Sequence, residues 1–242
     1  MRLETHQLTK SFGGVHAVDH IDVAFGGGKI TALVGPNGSG KTTLINTLTG
    51  LEQIDEGTVV INDAKMKKIR SAEVAAHGIT RTFQNSRLIL QVSVLDNALL
   101  VLGERNVFRA LVARHTHAHV AEAQRVLSKL NLWDKREELA ENLSFGQRKL
   151  LEIARALLMK SSFYFFDEPF AGLFPEMVGT VSNIMRELRE GGAAVVLVEH
   201  DMQLVRELAD HCYVLDSGRV IASGTPEEAL KQPRVIEAYL GK

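Results

Sequence analysis

Short apolar runs separated by glycine clusters open this chain. Helical spacing replaces them in the middle, and both patterns alternate towards the end. Val15, Val18, Ile21 and Val23 fall in brief runs broken by Gly13-Gly14 and Gly26-Gly27-Gly28, which predicts β-structure through residues 1–34. Gly57-Thr58-Val59-Val60-Ile61-Asn62-Asp63 predicts another strand ending in a turn, with the sheet continuing to about Phe83. From Ser93 to Leu132 there is no proline and little glycine. Leu95, Leu99 and Leu102 share one helical face there, and Ala123, Leu127 and Leu130 another. These features predict a helical insert ending near Met159, whose last helix has the stripe Leu150, Leu151, Ile153, Ala154, Leu157, Leu158.

Phe163-Tyr164-Phe165-Phe166 is short and wholly apolar, as suits a strand buried on both faces. Val181, Ile184, Met185 and Leu188 predict a helix near 177–190, stopped by Gly191-Gly192. A strand over 195–198, a helix near 201–208 and a strand near 213–215 complete the core. Thr225-Pro226-Glu227-Glu228 is a capping box with proline at the first helical position, so a short C-terminal helix is expected.

A chain of 242 residues can form one large α/β domain, or such a core with a small subdomain. A net charge of -1 gives no global attraction to nucleic acid or anionic lipid, so no nucleic-acid partner is expected. The single cysteine, Cys212, sits in an apolar strand and is expected to be a core thiol. The start of the chain has no signal-peptide core, and no apolar run approaches the ~20 residues a spanning helix needs. The protein is expected to be soluble, or peripheral through a partner.

The chemistry centres on Gly35-Pro36-Asn37-Gly38-Ser39-Gly40-Lys41-Thr42, which fits the phosphate-binding pattern Gly-x-x-x-x-Gly-Lys-Thr without a gap. The apolar strand Ile30-Thr31-Ala32-Leu33-Val34 precedes it. The helical run Thr43-Leu44-Ile45-Asn46-Thr47-Leu48-Thr49, closed by Gly50, follows. Strand, glycine loop and helix turn successive backbone N–H groups onto one anion, and the helix N-terminus adds partial positive charge. Lys41 can reach the β- and γ-phosphates, and the Thr42 hydroxyl can ligate Mg²⁺. Asp167-Glu168 closes the buried strand. Asp167 is expected to hold Mg²⁺ through water, and Glu168 to orient and deprotonate an attacking water. Ser144 and Gln147 match a capping box, giving a second helix N-terminus, and Gly146 is expected to keep that end uncrowded for an anion. A purely structural cap fits the same spacing.

Leu143-Ser144-Phe145-Gly146-Gln147 resembles the Leu-Ser-Gly-Gly-Gln signature of ABC transporter ATP-binding subunits, twenty residues before Asp167-Glu168. The resemblance extends over essentially the whole chain. It implies a P-loop NTPase α/β core, a mixed sheet with helices, carrying an N-terminal antiparallel β subdomain and an inserted α-helical subdomain. The core and β subdomain would comprise 1–86 and 160–242, and the helical signature subdomain 87–159, all within one domain of residues 1–242. It also implies ATP and Mg²⁺ as ligands, with residues 35–42 and Thr43 on ATP and Phe12 stacked on adenine. Gln84 is identified with the glutamine that touches Mg²⁺ and the attacking water, and His200 with the histidine that senses the γ-phosphate. Ser144, Gly146 and Gln147 would contact ATP held by a second ATPase subunit, identical or related.

The implied assembly includes transmembrane permease subunits and an extracytoplasmic solute-binding protein, with this chain peripheral on the cytoplasmic face of the membrane. Gly78-Ile79-Thr80-Arg81-Thr82-Phe83-Gln84-Asn85, Ala171-Gly172-Leu173 and Glu237-Ala238-Tyr239-Leu240-Gly241 resemble the branched-chain and hydrophobic amino acid uptake branch. Urea or amide uptake systems, exporters, soluble ABC ATPases of DNA repair or translation, and kinases on the same loop are the alternatives. Two positions depart from the family: Phe145 replaces the first signature glycine, and Phe174 stands where many members have Asp. His115, His117 and His119 are expected on a solvated helix face, and Lys65, Lys67 and Lys68 at the surface.

Overall fold

The computed structural model describes residues 1–82, 88–102 and 116–240. Its strands are β1 (Arg2–Phe12), β2 (Val15–Ile21), β3 (Ala24–Gly26), β4 (Lys29–Val34), β5 (Glu56–Ile61), β6 (Ala64–Met66), β7 (Ile79–Arg81), β8 (Phe163–Asp167), β9 (Ala194–Val198), β10 (His211–Asp216) and β11 (Arg219–Gly224). The helices are α1 (Lys41–Leu48), α2 (Val94–Leu99), α3 (His117–Lys129), α4 (Phe145–Leu158), α5 (Pro175–Glu190), α6 (Met202–Leu208), α7 (Pro226–Leu230) and α8 (Pro233–Leu240). The residues group into two compact units, one of 1–81, 161–168 and 184–242, the other of 82–160 and 169–183.

The first unit holds two sheets. In the antiparallel one β1 pairs with β2, β3 and β5, and β6 extends β5. Gly13 and Gly14, both at positive φ, form the two-residue turn that sets Phe12 opposite Val15. The second sheet runs β11-β10-β4-β9-β8-β7, parallel except for β11. A parallel sheet covered on both faces needs unbroken apolar strands, and every residue of β8 and β9 is buried. One core lies between the two sheets, where Phe25 of β3 meets Phe165 of β8 edge-on at 5.9 Å. A second gathers Ala32, Val34, Val205, Cys212, Val214, Leu230 and Val235.

Three expectations need correction here. The early sheet does not run on towards Phe83. Turns follow β6, and β7 joins the parallel sheet beside β8, while Phe83 itself lies outside the described residues. Strand β11 was not expected. Ser217 (φ 47) and Gly218 (φ 80) make the tight hairpin that returns the chain along β10. The C-terminus carries two helices rather than one, with the Thr225 capping box at α7 and Pro233 opening α8.

In the second unit α2, α3 and α4 pack against one another. Ala123 and Leu127 of α3, and Leu130 just past its end, are buried as the spacing predicts. The buried face of α2 is Val94, Asn97, Ala98 and Leu99; of the expected stripe Leu99 is buried, while Leu95 and Leu102 are only half-buried. Asn97 can be buried because its side chain accepts from Ile89 N at 3.1 Å and donates to Ile89 O at 2.9 Å. Among the described residues no helix is long and apolar enough to cross a membrane.

Candidate active site

The glycine loop leaves β4 at the carboxyl edge of the parallel sheet and enters α1, as the spacing predicts. Two of its glycines are required sterically. A Cβ on Gly35 would lie 2.1 Å from Leu215 O, and one on Gly40 (φ 103) would lie 2.2 Å from Ala17 O. Gly40 is also the N-cap of α1 and has no side chain to occupy the helix end. Pro36, Asn37, Gly38 and Ser39 form the bend between them, tied by Ser39 N to Pro36 O at 3.2 Å. Thr42 and Thr43 sit in the first turn of α1, with Thr42 exposed. Gly50 ends the helix region at φ 68, as expected.

Lys41 Nζ crosses the loop, donating to Gly35 O at 2.8 Å and Pro36 O at 2.9 Å. Partial burial lowers its pKa, while the carboxylates of Glu168 and Asp167 oppose that shift. Lys41, Asp167 and Glu168 are thus within electrostatic range of one another. Sheet register explains the convergence. Leu33 of β4 pairs with Val198 of β9, and Val198 pairs with Asp167 of β8. Three strand ends therefore deliver the glycine loop, the acidic pair and the Glu199-His200 segment to one edge, the usual ligand position in such sheets.

Asp167 is buried and ion-paired to Arg81, Nη2 to Oδ2 at 2.7 Å. Glu168, the next residue, has a left-handed backbone at φ 48. His200 is exposed at the end of its strand, and its N–H donates to the buried Glu199 carboxylate at 3.2 Å. Phe12 ends β1 in the antiparallel sheet and is 46% exposed, which rules out a buried structural role. Lys10 Nζ lies 5.1 Å from its ring centroid. Gln84 and His115 lie outside the described residues, and among the described residues no cluster of three or more His, Cys, Asp or Glu forms a metal site.

In the second unit the Ser144 cap forms as the sequence predicts. Ser144 N donates to Gln147 Oε1 at 3.0 Å, and Gln147 N donates to Ser144 Oγ at 3.3 Å. Gly146 differs from expectation. It is buried, and a Cβ there would lie 2.9 Å from Met177 Sδ and 3.4 Å from Leu173 Cδ2. The missing side chain makes room for α5 rather than leaving the helix end open. Phe145 and Phe174 are both largely exposed, and Lys149 Nζ sits 5.7 Å from the Phe145 ring centroid.

Sequence reasoning missed Arg81 and Glu199 as members of this edge. A single arginine between Ile79-Thr80 and Thr82 was the available signal, since a guanidinium in a buried strand demands a partner.

The family model described as ABC transporter matches residues 18–171, and that described as branched-chain amino acid ATP-binding cassette transporter matches residues 219–242. The chain is 38% identical to the probable branched-chain amino acid transport ATP-binding protein LivG of Archaeoglobus fulgidus, covering 99% of this chain and 95% of that protein. It is 33% identical to the high-affinity branched-chain amino acid transport ATP-binding protein LivG of Escherichia coli K12, over 99% and 98% of the two chains. Among solved structures, a nucleotide-free ATP-binding cassette from an ABC transporter superposes with a TM-score of 0.87 at 33% identity, covering 100% of both chains. A cassette in its ADP conformation matches equally well, again at 0.87 and 33% over 100% of both.

Proposed function

This chain belongs to the ABC transporter ATP-binding family, and from that premise we propose how its residues use ATP and what they energise. It is an ATP-binding and ATP-hydrolysing subunit of an ABC importer. The observation that supports our residue assignment best is the convergence of Lys41, Asp167 and Glu168 on one edge of the parallel sheet.

Backbone N–H groups along the loop formed by Gly35, Pro36, Asn37, Gly38, Ser39, Gly40, Lys41, Thr42 and Thr43, those after Pro36, together with the Lys41 ammonium, hold the triphosphate, and Phe12 stacks on the base. The donor set fits Mg²⁺: a threonine hydroxyl at Thr42 and a buried carboxylate at Asp167 are hard oxygen ligands, with Gln84 as a third. When bound, the cation would neutralise charge on the β- and γ-phosphate oxygens. Glu168 accepts the proton of the water that attacks the γ-phosphorus. The P–O bond to the β-phosphate breaks, releasing ADP and phosphate. His200 senses the γ-phosphate from the neighbouring strand end. The Ser144-capped helix of a second ATPase subunit, identical or related, closes over the nucleotide through the exposed end at Ser144 and Gln147, with Gly146 packed beneath it.

We assign the transported solute as branched-chain or other hydrophobic amino acids, supported by the match of residues 219–242 and by the named relatives. Permease subunits and an extracytoplasmic solute-binding protein complete the assembly, with this chain on the cytoplasmic membrane face. Purified protein with Mg²⁺ and ATP is expected to release inorganic phosphate, and Lys41→Ala to abolish nucleotide binding. Expressed with its chromosomal neighbours, it should co-purify with membrane permeases. Phosphate passed to a small acceptor, or co-purification with ribosomes or DNA alone, would overturn the assignment.

A further inference from the structure

We propose that Arg81 is a positioning residue that fixes the plane of the Asp167 carboxylate and ties it to the helix that begins at the phosphate loop. The inference rests on the assignment of Asp167 as a Mg²⁺ partner and deepens it. Arg81 ends β7, where it pairs in register with Phe165, two residues before Asp167. Both side chains are almost fully buried, at 6% and 3% exposure. One arm of the guanidinium, Nη2, holds Asp167 Oδ2 at 2.7 Å. The other, Nη1, donates to Asn46 Oδ1 at 2.6 Å and lies 3.4 Å from Thr49 Oγ1. Asn46 and Thr49 are at the C-terminal half and end of α1, whose first turn holds Lys41 and Thr42. One planar fork therefore links the acidic strand end to the helix that presents the phosphate ligands.

Burying such an ion pair is a poor route to stability, because both charges lose their water. Its value here is geometric. A buried carboxylate held through one oxygen by a rigid donor is restricted in rotation, so its orientation relative to α1 is biased before any cation arrives. Lysine would keep the charge but supply a single point, losing the link to one side.

The test is nucleotide binding by a fluorescent ATP analogue, titrated with Mg²⁺, for the wild type, Arg81→Lys, Arg81→Gln and Asn46→Leu. Binding without Mg²⁺ should change less than about twofold in every variant, because the glycine loop is intact. The Mg²⁺ concentration giving half-maximal effect should rise roughly tenfold or more in Arg81→Gln, and less in Arg81→Lys, as expected for loss of an outer support of a metal ligand. Asn46→Leu should shift it in the same direction by a smaller factor. Hydrolysis should fall in kcat with KM for ATP within about threefold. A wild-type Mg²⁺ midpoint in folded Arg81→Gln, accompanied only by a lower Tm, would overturn the proposal. If Arg81→Gln does not fold, an unchanged midpoint in both Arg81→Lys and Asn46→Leu overturns it. Tight nucleotide binding by Lys41→Ala would instead show that the site assignment itself is wrong.

Discussion

The backbone N–H of Glu168 donates to the carbonyl of Val198 at 3.0 Å, while Glu168 itself holds a left-handed backbone at φ 48. Strand β8 thus ends in a bend pinned to the neighbouring strand end. Left-handed backbone at a non-glycine residue costs of order 1–3 kcal/mol and persists where the surroundings hold it. Glu168→Gln keeps the shape and the backbone bond but removes the proton acceptor. It should unfold within about 1 kcal/mol of wild type and lose at least roughly 100-fold in hydrolysis. On our reading it should also accumulate with ATP as a dimer. Normal turnover by this variant would exclude Glu168 as the base; chemical denaturation, phosphate release and light scattering check the three parts.

Lys41 gives a pH-dependent expectation. Burial lowers its pKa below 10.5, against the opposing pull of Glu168 and Asp167. A lysine whose folded pKa lies below its unfolded value releases its proton first in the native state. The unfolded chain then binds more protons in the window below 10.5, so this group makes stability rise with pH there. Denaturant titrations of wild type and Lys41→Met at pH 7, 9 and 10 should show the difference growing in favour of wild type. A flat or reversed difference would mean that the ammonium is well solvated.

Much of this site is written locally, and the sequence pattern finds it. The glycine loop, the Ser144 and Thr225 caps and the buried runs of β8 and β9 each depend on residues within a few positions of one another. What periodicity did not reveal depends on partners beyond one helical turn or strand, or on a turn signal too short to stand out. Asn97 looks polar and solvated until Ile89 satisfies both of its amide ends. Arg81 looks like a strand terminus until Asp167, 86 residues away, accepts from it. Gly146 suggested an open helix end because nothing local says that Met177 fills the space. Strand β11 was missed because Ser217-Gly218 is a short turn signal between two modestly apolar runs.

Gly172 offers a test of backbone against contact. Its φ is 72, and a Cβ there would lie 2.8 Å from Cε1 of Phe145. Phe145 is 64% exposed and its ring can swing aside, so the steric part is small. The left-handed backbone dominates and should make Gly172→Ala destabilising by about 1–2 kcal/mol. The cost should be the same, within roughly 0.5 kcal/mol, in a Phe145→Ala background. Full recovery in the double variant would show that ring packing, not φ, requires the glycine. Paired denaturant curves decide between them.

Cys212 supplies a probe of the core beneath the glycine loop. It lies on β10, opposite Ala32 of β4 and Gly224 of β11, fully buried, and burial pushes its thiol up to about 12. Thiolate is the reactive form, so the native protein should resist a disulfide reagent at pH 8 and react only after unfolding. The raised value also sets a sign. Above pH 9 the unfolded thiol ionises while the folded one keeps its proton, so this group removes stability as pH rises from 9 towards 12. That slope opposes the one from Lys41, and the two separate only by variant. Cys212→Ala should abolish reagent uptake in denaturant and lessen the alkaline loss of stability relative to wild type. Rapid labelling of native protein would show that the sheet edge at β10 and β11 opens far more often than its buried side chains imply.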